Sequence, residues 1–140
     1  MDDKDLQILR LLQQDARLPL KTIAGKVGLA RSSVRERIAK LEQARVIRGY
    51  RAELAQDVAG AGVRAFVLLR LRRTPLPDTI RSINAMPGAR RCYSVSGDID
   101  LVVELAVGSM QELNDHRDHI ARLEGVADVT TMPILRVEQE

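Results

Sequence analysis

With 140 residues, 15.6 kDa, 45% hydrophobic and 29% charged residues, the chain has room for one domain or two very small ones; a large catalytic barrel and a disordered chain are both excluded. One cysteine, Cys92, leaves no intrachain disulfide and no multi-cysteine metal site, and three aromatic residues, Tyr50, Phe66 and Tyr93, are too few to stack successive bases of a single strand. The net charge of +3 hides an asymmetry: residues 1–53 carry 12 Lys+Arg against 7 Asp+Glu, or +5, whereas residues 54–140 carry 10 against 12, or −2.

The opening Met1-Asp2-Asp3-Lys4 has neither the basic start nor the apolar stretch of a signal peptide, and no apolar run reaches spanning length, so the expected address is the cytoplasm. From Asp2 to Gln14, Leu6, Ile8, Leu9 and Leu12 recur at helical spacing, with Asp2, Asp3 and Asp5 in the first turn, where the helix dipole favours acids. Pro19 opens a second, short helix whose Ile23, Ala24 and Val27 lead to Gly28, a natural helix end. A third helix follows over Arg31–Gln43. Its apolar stripe is Val34, Ile38 and Leu41; Ser32, Ser33, Arg35, Glu36 and Lys40 point away from it, with Arg31 and Arg37 on the flanks. Val46 to Ala52 then reads as a short strand or hairpin, the wing of a winged helix-turn-helix.

Charge gives this pattern a direction. Residues 17–51 hold ten basic side chains against Glu36 and Glu42, a local +8 that suits a phosphate-binding surface, because each neutralised phosphate releases condensed counterions. The expected partner is double-stranded DNA, with the third helix in the major groove. Candidate contacts are Arg31, Ser32, Ser33, Arg35, Arg37 and Lys40, with Lys21 and Arg48 outside that helix. A solvated face on a generic pair of short helices is the competing reading.

Residues 54–62, Leu-Ala-Gln-Asp-Val-Ala-Gly-Ala-Gly, read as the connection between a DNA-binding domain at 1–53 and a second domain at 63–140. There, Val63–Arg73 is a strand, Pro75-Leu76-Pro77-Asp78 breaks it, and Ile80, Ile83 and Met86 mark a helix ending at Pro87-Gly88. Arg91–Ser96 is the next strand. After the turn at Ser96-Gly97-Asp98, Ile99, Leu101, Val103, Leu105 and Val107 alternate with Asp100 and Glu104, as a sheet buried on one face requires. Ser109 caps a helix carrying Met110, Leu113, Ile120 and Leu123, with Glu112 completing a capping box and Gly125 closing the end, and Val126–Val137 is the last strand. The predicted class is α+β: an N-terminal winged helix-turn-helix followed by a ferredoxin-like βαββαβ domain, itself a repeat of two similar halves. Helices on one face of a four-stranded sheet leave the other to be covered, and a two-fold homodimer would cover it.

The most specific pieces of the sequence are Asp2-x-x-Asp5-x-x-Ile8-Leu9, Ile23-Ala24-x-x-Val27-Gly28-Leu29, Val34-x-x-Arg37-Ile38-x-x-Leu41-Glu42, Val46-Ile47-x-Gly49-Tyr50 and Val95-Ser96-Gly97-Asp98-Ile99-Asp100. On these residues the chain resembles the Lrp/AsnC, or feast/famine, family of transcription regulators. The resemblance implies a C-terminal effector and assembly domain, dimers that commonly associate into octamers, and control by a small molecule, usually an amino acid, with no other cofactor. It places the effector near the Gly-Asp-x-Asp turn, which here carries over Gly97, Asp98 and Asp100; Met110, Met132 and Ile134 are candidate pocket walls, and serve equally well as core or interface residues. A carboxylate there can hold an α-ammonium and turn N–H groups an α-carboxylate, although the same aspartates can simply make the turn. Three positions depart from the family's pattern. Ala30 and Pro19 stand where capping serines are usual, and Leu101 stands where Tyr is common.

An enzyme is one rival, since some haem-biosynthetic decarboxylases share the family's fold. Its strongest support would be His116 and His119 at i, i+3, which lack a third His or Cys to complete a metal site. Cys92, on a strand with no base assigned beside it, reads as a buried thiol. A metabolite-sensing assembly module that does not bind DNA is the other rival.

Overall fold

The computed structural model of the chain describes residues 1–54, 60 and 62–139. They form two compact units, Met1–Leu54 and Ala55–Glu140. Most of the expected connection, residues 55–59 and 61, lies outside the described residues.

The first unit is three helices: α1 (Asp3–Gln14), α2 (Leu20–Val27) and α3 (Arg31–Gln43). Ile8, Ile23, Ala24, Val27 and Val34 form its core, with Leu11, Leu12, Leu18, Leu20, Leu29 and Ile38 packed around them. Side chains such as Ile8 and Val34, fully removed from water, stabilise such a unit by about 1.5–3 kcal/mol each. Asp2 is the N-cap of α1 rather than its first helical residue: its carboxylate accepts from the Asp5 N–H and the Asp5 carboxylate accepts from the Asp2 N–H, both at 2.9 Å. α2 starts after Pro19 without a side-chain cap and ends at left-handed Gly28 (φ 68°), where the N–H groups of Gly28 and Leu29 both donate to the Ala24 carbonyl. α3 starts after Ala30, again uncapped.

The expected wing is not formed: no strand is present from Val46 to Ala52. Instead α3 closes in a Schellman motif, Val46 N–H donating to Leu41 C=O and Arg45 N–H to Glu42 C=O, each at 3.0 Å, with Arg45 left-handed at φ 58°. The Tyr50 hydroxyl donates to the Glu42 carboxylate at 2.8 Å and draws the segment back over the helix end. A strand exists only against a partner strand, and this unit offers none among its described residues.

The second unit contains β1 (Val63–Leu71), α4 (Pro77–Asn84), β2 (Ala89–Ser94), β3 (Leu101–Val107), α5 (Met110–Ala121) and β4 (Val126–Pro133). The sheet is antiparallel in the order β2-β3-β1-β4, the arrangement of the predicted ferredoxin-like fold. Register places Ala65, Val67 and Leu69 opposite Leu105, Val103 and Leu101 on one face, all buried with Ile83, Leu113 and Ile120 of the helices. Phe66, Leu68, Val102 and Glu104 lie on the opposite face and are only half-buried. Strands stop earlier than periodicity predicted: β1 at Leu71 instead of Arg73, β2 at Ser94 instead of Ser96, β4 at Pro133 instead of Val137. Ser109 caps α5 as expected, accepting from the Glu112 N–H at 3.1 Å; the Glu112 carboxylate, however, accepts from the Gly108 N–H at 2.7 Å, one residue before the position a capping box requires.

Candidate nucleic-acid interface and effector turn

The turn between α2 and α3 is held by the Gly28 geometry, so the start of α3 projects beyond the packed core. Arg31, Ser32 and Arg35 are exposed there, Ser33 is half-buried, and Lys21 on α2 and Arg48 beyond α3 are also exposed. With no side chain capping α3, the N–H groups of its first turn remain available to an anion, next to the positive end of the helix dipole. Lys40 is exposed and pairs with Glu36 at 2.9 Å, a solvent-screened contact that costs little to exchange for a phosphate; the ammonium holds the Glu36 carboxyl below its ordinary range.

Arg37 behaves differently from the expected DNA contact. Its Nη1 donates to both Asp2 oxygens at 2.8 and 2.7 Å and to Asp5 Oδ1 at 2.8 Å, tying the middle of α3 to the first turn of α1. The Arg37 hydrogen bond, with the Asp5 N–H, holds the Asp2 carboxyl down at about 2; the Asp2 N–H and Arg37 lower Asp5 as well. Lys4 was not foreseen: its ammonium donates to the Val27 carbonyl at the end of α2. The nearest signal in the sequence was the acid-rich first turn, which the dipole alone already explained. Tyr50, too, was not foreseen as an anchor; burial and the Glu42 carboxylate push its phenol up to about 12.

In the second unit Ser96, Gly97 and Asp98 form an exposed turn between β2 and β3, with Gly97 at φ 108° and open space around it. The Asp98 carboxylate is exposed, while its carbonyl accepts from Arg70 Nε at 3.3 Å. Asp100 is committed to the fold: its carboxylate accepts from the Leu71 N–H at 2.7 Å and its own N–H donates to Leu69 C=O at 2.9 Å. Met110, 56% exposed, begins α5; Met132, 45% exposed, pairs with Phe66 on the open sheet face, and the half-buried Ile134 donates its N–H to Arg64 C=O at 2.8 Å. Register separates these two groups. Leu101, just after the turn, pairs with Leu69, whereas Val107, just before Met110, pairs with Val63, roughly 20 Å along the sheet; Ile134 lies toward that same far end, while Met132 pairs with Phe66, only about 10 Å along from Leu69. The expected effector residues are therefore spread along the sheet rather than gathered at the turn.

His116 is a structural tie, its Nδ1 2.8 Å from the Glu112 carbonyl and its Nε2 2.7 Å from the Pro87 carbonyl, which joins α5 to the end of the α4–β2 connection. Cys92 sits on the helix side of β2 opposite Val103, and burial pushes its thiol up, away from nucleophilic reactivity. Among the described residues no group of three His, Cys, Asp or Glu could hold a metal ion, and no helix is long and apolar enough to cross a membrane.

Comparison with known proteins agrees with both halves. The AsnC-type helix-turn-helix domain matches residues 1–42 and the Lrp/AsnC ligand binding domain matches residues 64–140. The HTH-type transcriptional regulator FL11 of Pyrococcus furiosus is 31% identical over 140 residues, covering 100% of this chain and 93% of the relative. The leucine-responsive regulatory protein of Haemophilus influenzae is 32% identical, covering 96% and 84%. Among solved structures, the leucine response regulatory protein of Mycobacterium tuberculosis superposes with a TM-score of 0.83 at 28% identity over 100% of this chain and 96% of that one. A transcriptional regulator of Neisseria meningitidis solved as a complex with L-Met gives the same TM-score, 0.83, at 24% identity, covering 100% and 93%. These relatives are regulators, which sets the enzyme reading aside. The chain belongs to the Lrp/AsnC family of transcriptional regulators, with a DNA-binding helix-turn-helix followed by a small-molecule-binding domain.

Proposed function

We propose that the chain is a cytoplasmic, metabolite-responsive regulator that binds pseudo-palindromic DNA as a homodimer, with α3 of each subunit in the major groove of one half-site. The observation that carries this is the start of α3: an uncapped helix N-terminus beside exposed Arg31, Ser32 and Arg35. Backbone N–H groups there suit a phosphate, Arg35 and Ser32 suit base edges, and Lys21, Lys40 and Arg48 supply flanking charge. The half-buried sheet face of Phe66, Leu68 and Val102, flanked by Met132, suits a second copy of this chain. Dimers assemble further, toward octamers.

The effector in this reading is an amino acid. The exposed Asp98 carboxylate can accept from an α-ammonium, and the open turn at Gly97 offers N–H groups to an α-carboxylate. Because Met110 and Ile134 lie toward the other end of the sheet from the turn, a pocket using both groups draws them from different subunits, which links effector binding to assembly and so to DNA affinity. The L-Met complex of the Neisseria relative is a precedent for an amino acid on this fold.

Binding to the gene's own upstream DNA, followed by fluorescence anisotropy across a salt series with and without a mixture of amino acids, tests the reading. Affinity is expected to fall steeply with salt, to weaken in Arg35→Ala and Lys40→Ala, and to shift with the mixture. Asp98→Ala is expected to abolish the shift while leaving basal DNA binding intact. Specific binding that ignores the mixture would overturn the amino-acid effector; no preference for the upstream site at any salt would overturn the role of α3.

A further inference from the structure

Arg37 lies on the helix assigned to DNA, yet its guanidinium is turned toward the first turn of α1. Two carboxylates surround one guanidinium, so the cluster of Asp2, Asp5 and Arg37 is net negative and repels rather than attracts a phosphate. The carboxylates are themselves fixed, each accepting from the other's backbone N–H at 2.9 Å. On the same helical turn Lys4 reaches the other way, to the Val27 carbonyl that precedes Gly28. One turn of α1 thus holds the end of α2 and the middle of α3. The remaining packing between these helices is apolar, around Ile8, Ile23 and Val34, and apolar contact is non-directional. The apolar stripe of Val34, Ile38 and Leu41 fixes which face of α3 is buried, and the directional contacts of Arg37 set the finer rotation within that choice, on which the aim of each outward side chain depends.

We infer that the first turn of α1 is a positioning element for DNA reading: Asp2 and Asp5 set the rotation of α3 through Arg37, Lys4 holds the preceding turn, and Arg37 is a positioning residue, not a phosphate contact. The inference rests on α3 being the helix that enters DNA. A misrotated α3 keeps its charge and loses its base contacts, so the signature is lost specificity at unchanged electrostatics.

The test uses the full chain, with anisotropy on the upstream site and on a scrambled duplex of equal length across a salt series. Arg37→Gln and Asp2→Ser, the latter retaining a capping side chain, are each expected to lower the ratio of specific to non-specific affinity by about tenfold. The double variant is expected to be no worse than either single one, and Arg37→Lys to recover part of the ratio. On the scrambled duplex the salt slope is expected to be unchanged in Arg37→Gln and to fall by about one in the comparison variant Arg35→Ala. Equal loss of both affinities in Arg37→Gln with a slope lowered by about one, or a wild-type ratio in Asp2→Ser, overturns the inference. Circular dichroism at the assay temperature verifies folding, and if Arg37→Gln does not fold, the ratios of Asp2→Ser and Arg37→Lys decide. A wild-type chain that shows no preference for the upstream site refutes the reading of α3 itself, a different result from any of these.

Discussion

Capping α3 offers a direct test of how its first turn is satisfied. Ala30 has the extended backbone of an N-cap residue, φ −68° and ψ 149°, is exposed, and supplies no side-chain acceptor, whereas Asp2 on α1 and Ser109 on α5 both accept from their helices. Ala30→Ser therefore adds a hydroxyl acceptor without a change of backbone and is expected to stabilise the first unit by about 1 kcal/mol. In a unit of this size that corresponds to a rise of about 5 °C or more in its thermal midpoint, measurable by calorimetry or by helical circular dichroism of the full chain. In urea the midpoint is expected to move up with an unchanged slope. Ala30→Asp is expected to give at least the same stabilisation, since its charge also opposes the helix dipole. Its carboxylate stands where a phosphate would approach, so affinity for DNA at low salt is expected to fall by about tenfold. Unchanged or lowered stability in a folded Ala30→Ser would refute the capping argument, and wild-type affinity in Ala30→Asp would show that no phosphate meets this helix end.

Acid is expected to loosen the first unit in a defined window. The folded state holds Asp2 at about 2, against 3.8 ordinarily, and lowers Asp5, so their contribution is complete above that ordinary value and is lost as pH falls toward 2; thermal melts from pH 5 downward should show this decline, flattened in Arg37→Gln. Arg45→Gly is expected to stabilise the same unit by about 0.5–1 kcal/mol in a chemical-denaturation series, because Arg45 occupies the left-handed region at φ 58° at a cost glycine avoids. In the second unit Gly125→Ala is expected to cost about 2–4 kcal/mol: Gly125 has φ 78° and a Cβ there would overlap the buried Leu76 side chain, so a midpoint within 2 °C of wild type would refute the packing argument.

Much of this protein was legible in the order of its residues. Val34 and Leu41 on α3, and Leu101, Val103, Leu105 and Val107 on β3, are buried as their periods require, because burial of a repeating face is a local property of a helix or strand. Gly28 and Ser109 marked helix ends for the same reason. Together with the charge of residues 17–51, these residues pointed to the two-part architecture and to a nucleic-acid partner. What depended on distant residues was not legible. The ion pair of Arg37 with Asp2 spans 35 positions, so helical periodicity could place Arg37 on the flank of α3 but could not say what waited there. Val46 to Ala52 has strand-forming residues and no strand, since pairing needs a partner that local sequence cannot supply. The separation of Asp98 from Met132 likewise follows from the pairing of β1 with β3 and β4, and strand register is decided only when the sheet assembles.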